Sequence, residues 1–154
     1  MIPVERIGRR HSTVGNKARS IQWLTKHHFD SPASWAINAA QAAQWSSLEQ
    51  LPASVQETFL ELLNTNGVLA IRSSANVEDS ESSSFAGQFD SVLNVASVKD
   101  VLPAKRKVID SASTQSIRSY QETQEDSGSI EMGIIVQAMI EPHYSGVAFS
   151  RNPL

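Results

Sequence analysis

The chain contains no cysteine, which removes disulfide frameworks, thiolate metal sites and cysteine nucleophiles together and suits a reducing compartment. A basic excess is missing as well. With a formal net charge of -3, the sequence offers no long-range attraction for nucleic acid or for an anionic membrane surface. Its first ten residues, Met-Ile-Pro-Val-Glu-Arg-Ile-Gly-Arg-Arg, lack the apolar centre of a secretory signal, and no later apolar run is long enough to cross a bilayer. A cytoplasmic protein is therefore expected, with neither nucleic acid nor membrane as partner. The histidines, His11, His27, His28 and His143, are scattered. Only two are adjacent, and adjacent side chains on a helix point different ways, so no metal site is assigned to them. No Ser-His-Asp order supports a nucleophilic triad, which leaves acyl transfer without residues.

What is present is an ordinary globular composition, 40% apolar and 19% charged, long enough for one good core or two small lobes. The most informative stretch begins at Val68-Leu69-Ala70-Ile71, a short apolar run suited to a buried strand, which delivers Arg72 to its end. A guanidinium there can grip a pair of phosphate oxygens as a planar fork. Ser73, Ser74, Ala75 and Asn76 follow, small residues that let a ligand approach the backbone and that add hydroxyl, amide and main-chain donors. A serine-rich tip, 80–84, leads to Gly87 and to a second apolar strand at 92–95. Residue chemistry alone leaves two readings open, a solvated hairpin or a phosphate-handling one. Glu78, Asp79 and Glu81 in the same loop are read as solvated and loop-shaping rather than as a magnesium site.

Around this hairpin, apolar spacing predicts helices over 17–28, 38–50 and 54–64, with Asn16 as a cap of the first and Pro52 dividing the other two. Gly67 is expected to end the third in a left-handed cap. The turn Val14-Gly15-Asn16-Lys17 sets a lysine at a helix N-terminus, which suits either an anion or plain solvent. Beyond the hairpin, apolar positions from Val98 to Tyr120 mark a long helix running towards Thr123, with Pro103 tolerated only near its start. A polar linker, 122–128, precedes a β-branched run at 133–140, read as a buried strand, and 145–153 is expected to return beside it as a hairpin. Met139 suits a core position as well as a ligand. These elements predict an α+β fold with mixed or antiparallel sheets and flanking helices, in two lobes, 1–125 and 129–154.

The ordered motifs Arg72-Ser-Ser-Ala-x-x-Glu-Asp, Ser84-Phe-Ala-Gly-Gln and Leu93-Asn-Val resemble the N-terminal ATP-binding domain of the phosphoenolpyruvate synthase and pyruvate phosphate dikinase family, an ATP-grasp type fold. The family carries Gly-Gly-Lys where this chain has Gly15-Asn16-Lys17, and a proline-containing strand entry similar to Asp30-Ser-Pro-Ala-Ser-Trp-Ala-Ile37. The segments Val136-Gln-x-Met-Ile and Ser145-Gly-Val-Ala-Phe-Ser-Arg-Asn-Pro153 are similar to its second nucleotide-binding lobe. Together the likeness runs from about Val14 to Pro153.

That resemblance implies phosphoryl chemistry carried by positioning and positive charge. Lys17 and Arg72 would hold the triphosphate of ATP, with Arg72 as the candidate catalytic residue. Ser91 would lie near the nucleotide, residues 84–88 would form a closing flap, and Gln137, Ala138, Met139 and Ile140 would line the adenine pocket. A flap so poor in apolar anchors is expected to be mobile without nucleotide. The family passes a phosphoryl unit from ATP to a histidine on a separate domain and from there to pyruvate. The histidine lies in a Thr-Ser-His type motif, and none of the four here does. Magnesium ligands are expected beyond this chain, as are the phosphohistidine and pyruvate-binding domains that would be its partners. The chain thus reads as the N-terminal part of an ATP-binding domain, inactive by itself. Two alternatives are a related dikinase acting on an α-glucan or an antibiotic hydroxyl, and a nucleotide-binding module without catalysis.

Overall fold

A computed structural model describes residues 4–7, 15–45, 47–76, 89–111 and 131–146. The serine-rich flap, the acidic trio at 78–81, the linker at 122–128 and the return segment at 147–153 lie outside them. Among the described residues nine elements follow in order: β1 (Glu5–Arg6), α1 (Gly15–Lys26), β2 (Ser34–Ile37), α2 (Ala39–Gln44), α3 (Ala53–Asn66), β3 (Leu69–Ala75), β4 (Ser91–Val95), α4 (Val98–Asp110) and β5 (Met132–Ala138). The strands form one five-stranded sheet in the order β1-β2-β5-β3-β4. Every pairing is antiparallel. This is the α+β architecture expected of the sequence.

The hairpin read at 68–95 is the β3–β4 pair, with Leu69 opposite Val95, Ile71 opposite Val92 and Arg72 opposite Ser91. One more residue separates Val92 from Val95 than Ile71 from Leu69, so β4 carries a bulge. Asn94 absorbs it with φ 60, a left-handed conformation that asparagine tolerates better than most side chains. Val95 thereby returns to the buried face while Leu93 stays exposed.

Local chemistry explains three of the helix ends. Asn38 caps α2 by accepting the Gln41 N–H at 2.9 Å. Gly67 closes α3 by donating to the Leu63 carbonyl at 2.8 Å, with φ 74 and ψ -116, outside the left-handed helical conformation expected of it though still one that glycine adopts most readily. At the end of α1, His28 takes φ 61, the Phe29 N–H reaches the Leu24 carbonyl at 3.0 Å and the His28 N–H reaches that of Thr25 at 3.3 Å. That is a Schellman closure, and its usual apolar contact is the Phe29 ring stacked 5.8 Å from Trp23. Pro103 sits inside α4, deeper than its first turn, where it leaves the Lys99 carbonyl without the usual intrahelical donor.

The sheet order bears on the expected division into two lobes. The described part of the expected second lobe, 131–146, does not form a separate sheet, because β5 lies between β2 and β3 at the centre of the one sheet described. The expected return segment lies outside the described residues from 147 on; along 134–137 β2 occupies one edge of β5 and β3 the other. A strand has only two edges. Periodicity marks a strand but does not name its neighbours.

Strand alternation sorts the sheet into two faces. Ile37, Leu69, Ile71, Val95, Ile134 and Val136 point to one, where they join Phe59 of α3 and Val101 and Val108 of α4 in the main core. On the other face Ala36 and Ile135 meet Ile7 and the buried side of α1, Ala18 and Ile21. The same face carries Ser34, Arg72, Ser74 and Gln137 by register.

Candidate nucleotide site

Gly15 brings α1 onto the sheet. A Cβ built on it would stand 2.2 Å from the Ser74 carbonyl oxygen, and its φ is +56, so only glycine permits this approach in this conformation. Ser74 answers with its side chain. Its Oγ accepts the Ala18 N–H at 3.1 Å, giving one of the orphan donors of the helix start a partner from a strand 56 residues away. Lys17, on the same turn, donates from Nζ to Ser73 Oγ at 3.2 Å. Asn76 completes this end. Its carbonyl accepts from Asn16 Nδ2 at 3.4 Å, while its Oδ1 and N–H meet the Glu131 N–H and carbonyl at 3.1 and 3.2 Å.

Arg72 lies next along β3, half-buried, and donates from Nη1 to Gln137 Oε1 at 2.9 Å. The Gln137 amide donates onward from Nε2 to Ser34 Oγ at 3.0 Å, and the Ser34 hydroxyl donates to the Pro32 carbonyl at 2.8 Å. Ser91 is the cross-strand neighbour of Arg72 and is exposed. Met139 and Ile140 stand at the far end of β5, where the Met139 N–H is held by the Val68 carbonyl at 2.9 Å and Ile140 is 57% exposed.

Of the residues singled out by sequence, then, Lys17, Arg72, Gln137 and Ser91 gather at one end and the middle of β3, and Met139 and Ile140 fall at its other end. From Ser73 to Val68 the strand spans about 17 Å at ~3.4 Å per residue. Gln137 belongs with Arg72 rather than with the two residues that follow it. Its side chain is 9% exposed and engaged at both ends of its amide. Ser34 and Glu131 were missed as hydrogen-bond partners here, and Asn76, read as a donor to a ligand, is engaged with Asn16 and Glu131. The alternation of Ser34 and Ala36 against Trp35 and Ile37 was a signal that Ser34 shares one face with Ala36, but not that Gln137 lies opposite.

Among the described residues no three His, Asp or Glu side chains gather as a metal site. None of their helices is long and apolar enough to cross a membrane. The antiparallel sheet carries Arg72 on β3 and meets Lys17 of α1 at the buried Ser73.

Residues 16–154 match the family model described as pyruvate phosphate dikinase, AMP/ATP-binding domain. The chain belongs to that family, with its ATP-grasp type of α+β fold. Its similarity to curated proteins points the same way. It is 28% identical, over 92% of its length, to the uncharacterized phosphotransferase YvkC of Bacillus subtilis, of which it covers 20%. To a rifampicin phosphotransferase of a Streptomyces species it is 33% identical over 75% of its length and 14% of the relative. To a probable phosphoenolpyruvate synthase of Methanothermobacter thermautotrophicus the identity is 31%, over 68% of this chain and 16% of the relative. The chain therefore spans a fifth or less of the length of these three.

Proposed function

We propose that this chain holds ATP for a dikinase-type phosphotransferase, with the triphosphate at Lys17 and Arg72 and the base beyond Val68, at Met139 and Ile140. The observation that carries the reading is the meeting of Lys17 and β3 across 56 positions of sequence, which sets an ammonium on the hydroxyl of Ser73, the strand neighbour of Arg72. In this reading Arg72 is the catalytic residue. Its remaining N–H donors bind phosphoryl oxygens, and its charge offsets what develops on them as the bond to the leaving group lengthens. Lys17 orients the chain of phosphates from the other side, Ser91 adds a hydroxyl beside Arg72, and the exposed Ile140 side chain covers the face of the base. Positioning of this kind lowers the barrier without covalent chemistry by the protein.

Magnesium accompanies ATP in this proposal, but the described residues supply no donor set for it. Its ligands are assigned to other parts of the full-length protein, and no step here passes through it. Those parts would also hold the phosphohistidine and the acceptor, which is proposed to be pyruvate, and the chain alone would be inactive in transfer, in a cytoplasmic setting. A second acceptor, an antibiotic hydroxyl, is favoured by the likeness to a rifampicin phosphotransferase.

Calorimetric titration of the chain with ATP tests the binding reading. Replacing Lys17 or Arg72 by Ala is expected to weaken ATP about 10- to 100-fold each, the value of a charge-assisted hydrogen bond pair. Affinity unchanged in both variants sinks the site. Product analysis of a longer protein given pyruvate or rifampicin separates the acceptors.

A further inference from the structure

We infer that Ser34 is a positioning residue for the phosphate-binding arginine, acting through Gln137. This rests on the nucleotide reading above and adds to it a side chain to which the sequence reading gave no role.

The donor and acceptor roles along the chain leave one arrangement. The Pro32 carbonyl can only accept, so the Ser34 hydroxyl donates to it, at 2.8 Å. That fixes the Ser34 oxygen as an acceptor towards Gln137, whose Nε2 lies 3.0 Å away. With its NH2 end committed to Ser34, Gln137 must turn its carbonyl oxygen to Arg72, at 2.9 Å from Nη1. A flipped amide would set an NH2 group against the guanidinium, donor against donor. Ser34 and Gln137 are buried, at 4% and 9% exposure, so water is a poor substitute at either link. The three side chains come from β2, β5 and β3, neighbours in the sheet, and they lie on one face by register. The relay holds one of the five N–H donors of Arg72 and so sets the plane in which the others meet a phosphate. Ser34 touches neither nucleotide nor reacting atoms in this scheme.

The test is titration with ATP and with adenosine, which lacks the phosphates. Ser34→Ala is expected to weaken ATP about tenfold, the equivalent of one hydrogen bond, while adenosine binding stays as in the wild type. Ser34→Thr, which keeps the hydroxyl, restores ATP affinity. In a Gln137→Met background Ser34→Ala has no further effect, since the two act in series. An equal loss for adenosine and ATP, no loss for ATP, or a Ser34 effect that persists without Gln137 overturns the inference and leaves the nucleotide site standing. A wild-type chain that binds no ATP overturns the nucleotide reading itself, and this inference with it. Should Ser34→Ala fail to fold, nuclear magnetic resonance of the wild type decides. The Gln137 side-chain NH2 protons are expected to exchange slowly and to shift on ATP but not on adenosine, and fast exchange or no shift overturns the relay.

Discussion

Lys105 is the one buried lysine of α4 among the described residues, 1% exposed, and its ammonium is costly there. Burial, then the neighbouring Arg106 charge, lowers its pKa from 10.5 to about 8, against a smaller opposite pull from Asp110. A folded-state pKa below the unfolded value means that the unfolded chain binds more protons between pH 8 and 10.5. Stability from this group therefore rises as pH is raised through that window, and below it the penalty is fully present. The shift corresponds to an upper bound of about 3–4 kcal/mol at ~1.4 kcal/mol per pKa unit. Lys105→Met keeps the length of the side chain and removes the charge. The variant is expected to be more stable than the wild type at pH 7 in urea denaturation, with the gap closing as pH approaches 10. A gap independent of pH would show that the charge is not what the site resists.

At the scale of elements, the docking of α1 on β3 turns on Gly15. A methyl group there meets a backbone carbonyl, which cannot swing aside, and the positive φ strains any other residue. Gly15→Ala is expected to cost more than ~1 kcal/mol of stability and to weaken ATP as Lys17 leaves Ser73. Stability loss with ATP affinity unchanged would separate the helix from the site. The sequence signalled this turn and both cations because they are local features: a glycine before a lysine at a helix start, and an arginine at the end of an apolar run. Helix α2 was read too long, to 50, because alanine and glutamine carry no stop signal. Its end at Gln44 comes from packing, with Trp45 beyond it buried at 4%. The relay from Arg72 to Ser34 was illegible for a different reason. It depends on the register of strands 65 and 103 positions apart, and periodicity gives the face of a strand but never its partner.

For the molecule as a whole, the decisive placement is that of β5, which is late in sequence and central in space. Met132, Ile134, Ile135 and Val136 are each 8% exposed or less, and burying four such side chains contributes roughly 6–12 kcal/mol. That is comparable to the ~5–15 kcal/mol of net stability of a whole domain. Remove it, and β2 and β3 lose the strand that joins them, both apolar faces of the sheet open, and the Arg72 guanidinium loses Gln137. A chain ending at residue 125, the boundary that composition suggested for a first lobe, is therefore expected not to fold. Circular dichroism and amide dispersion would show a disordered chain, and adding a peptide of residues 129–146 in trans would recover sheet signal only at high concentration, because the intramolecular link is gone. A cooperative thermal transition from 1–125 alone would show that β1–β4 close a core without β5, and the description of one sheet organised around its last strand would be wrong.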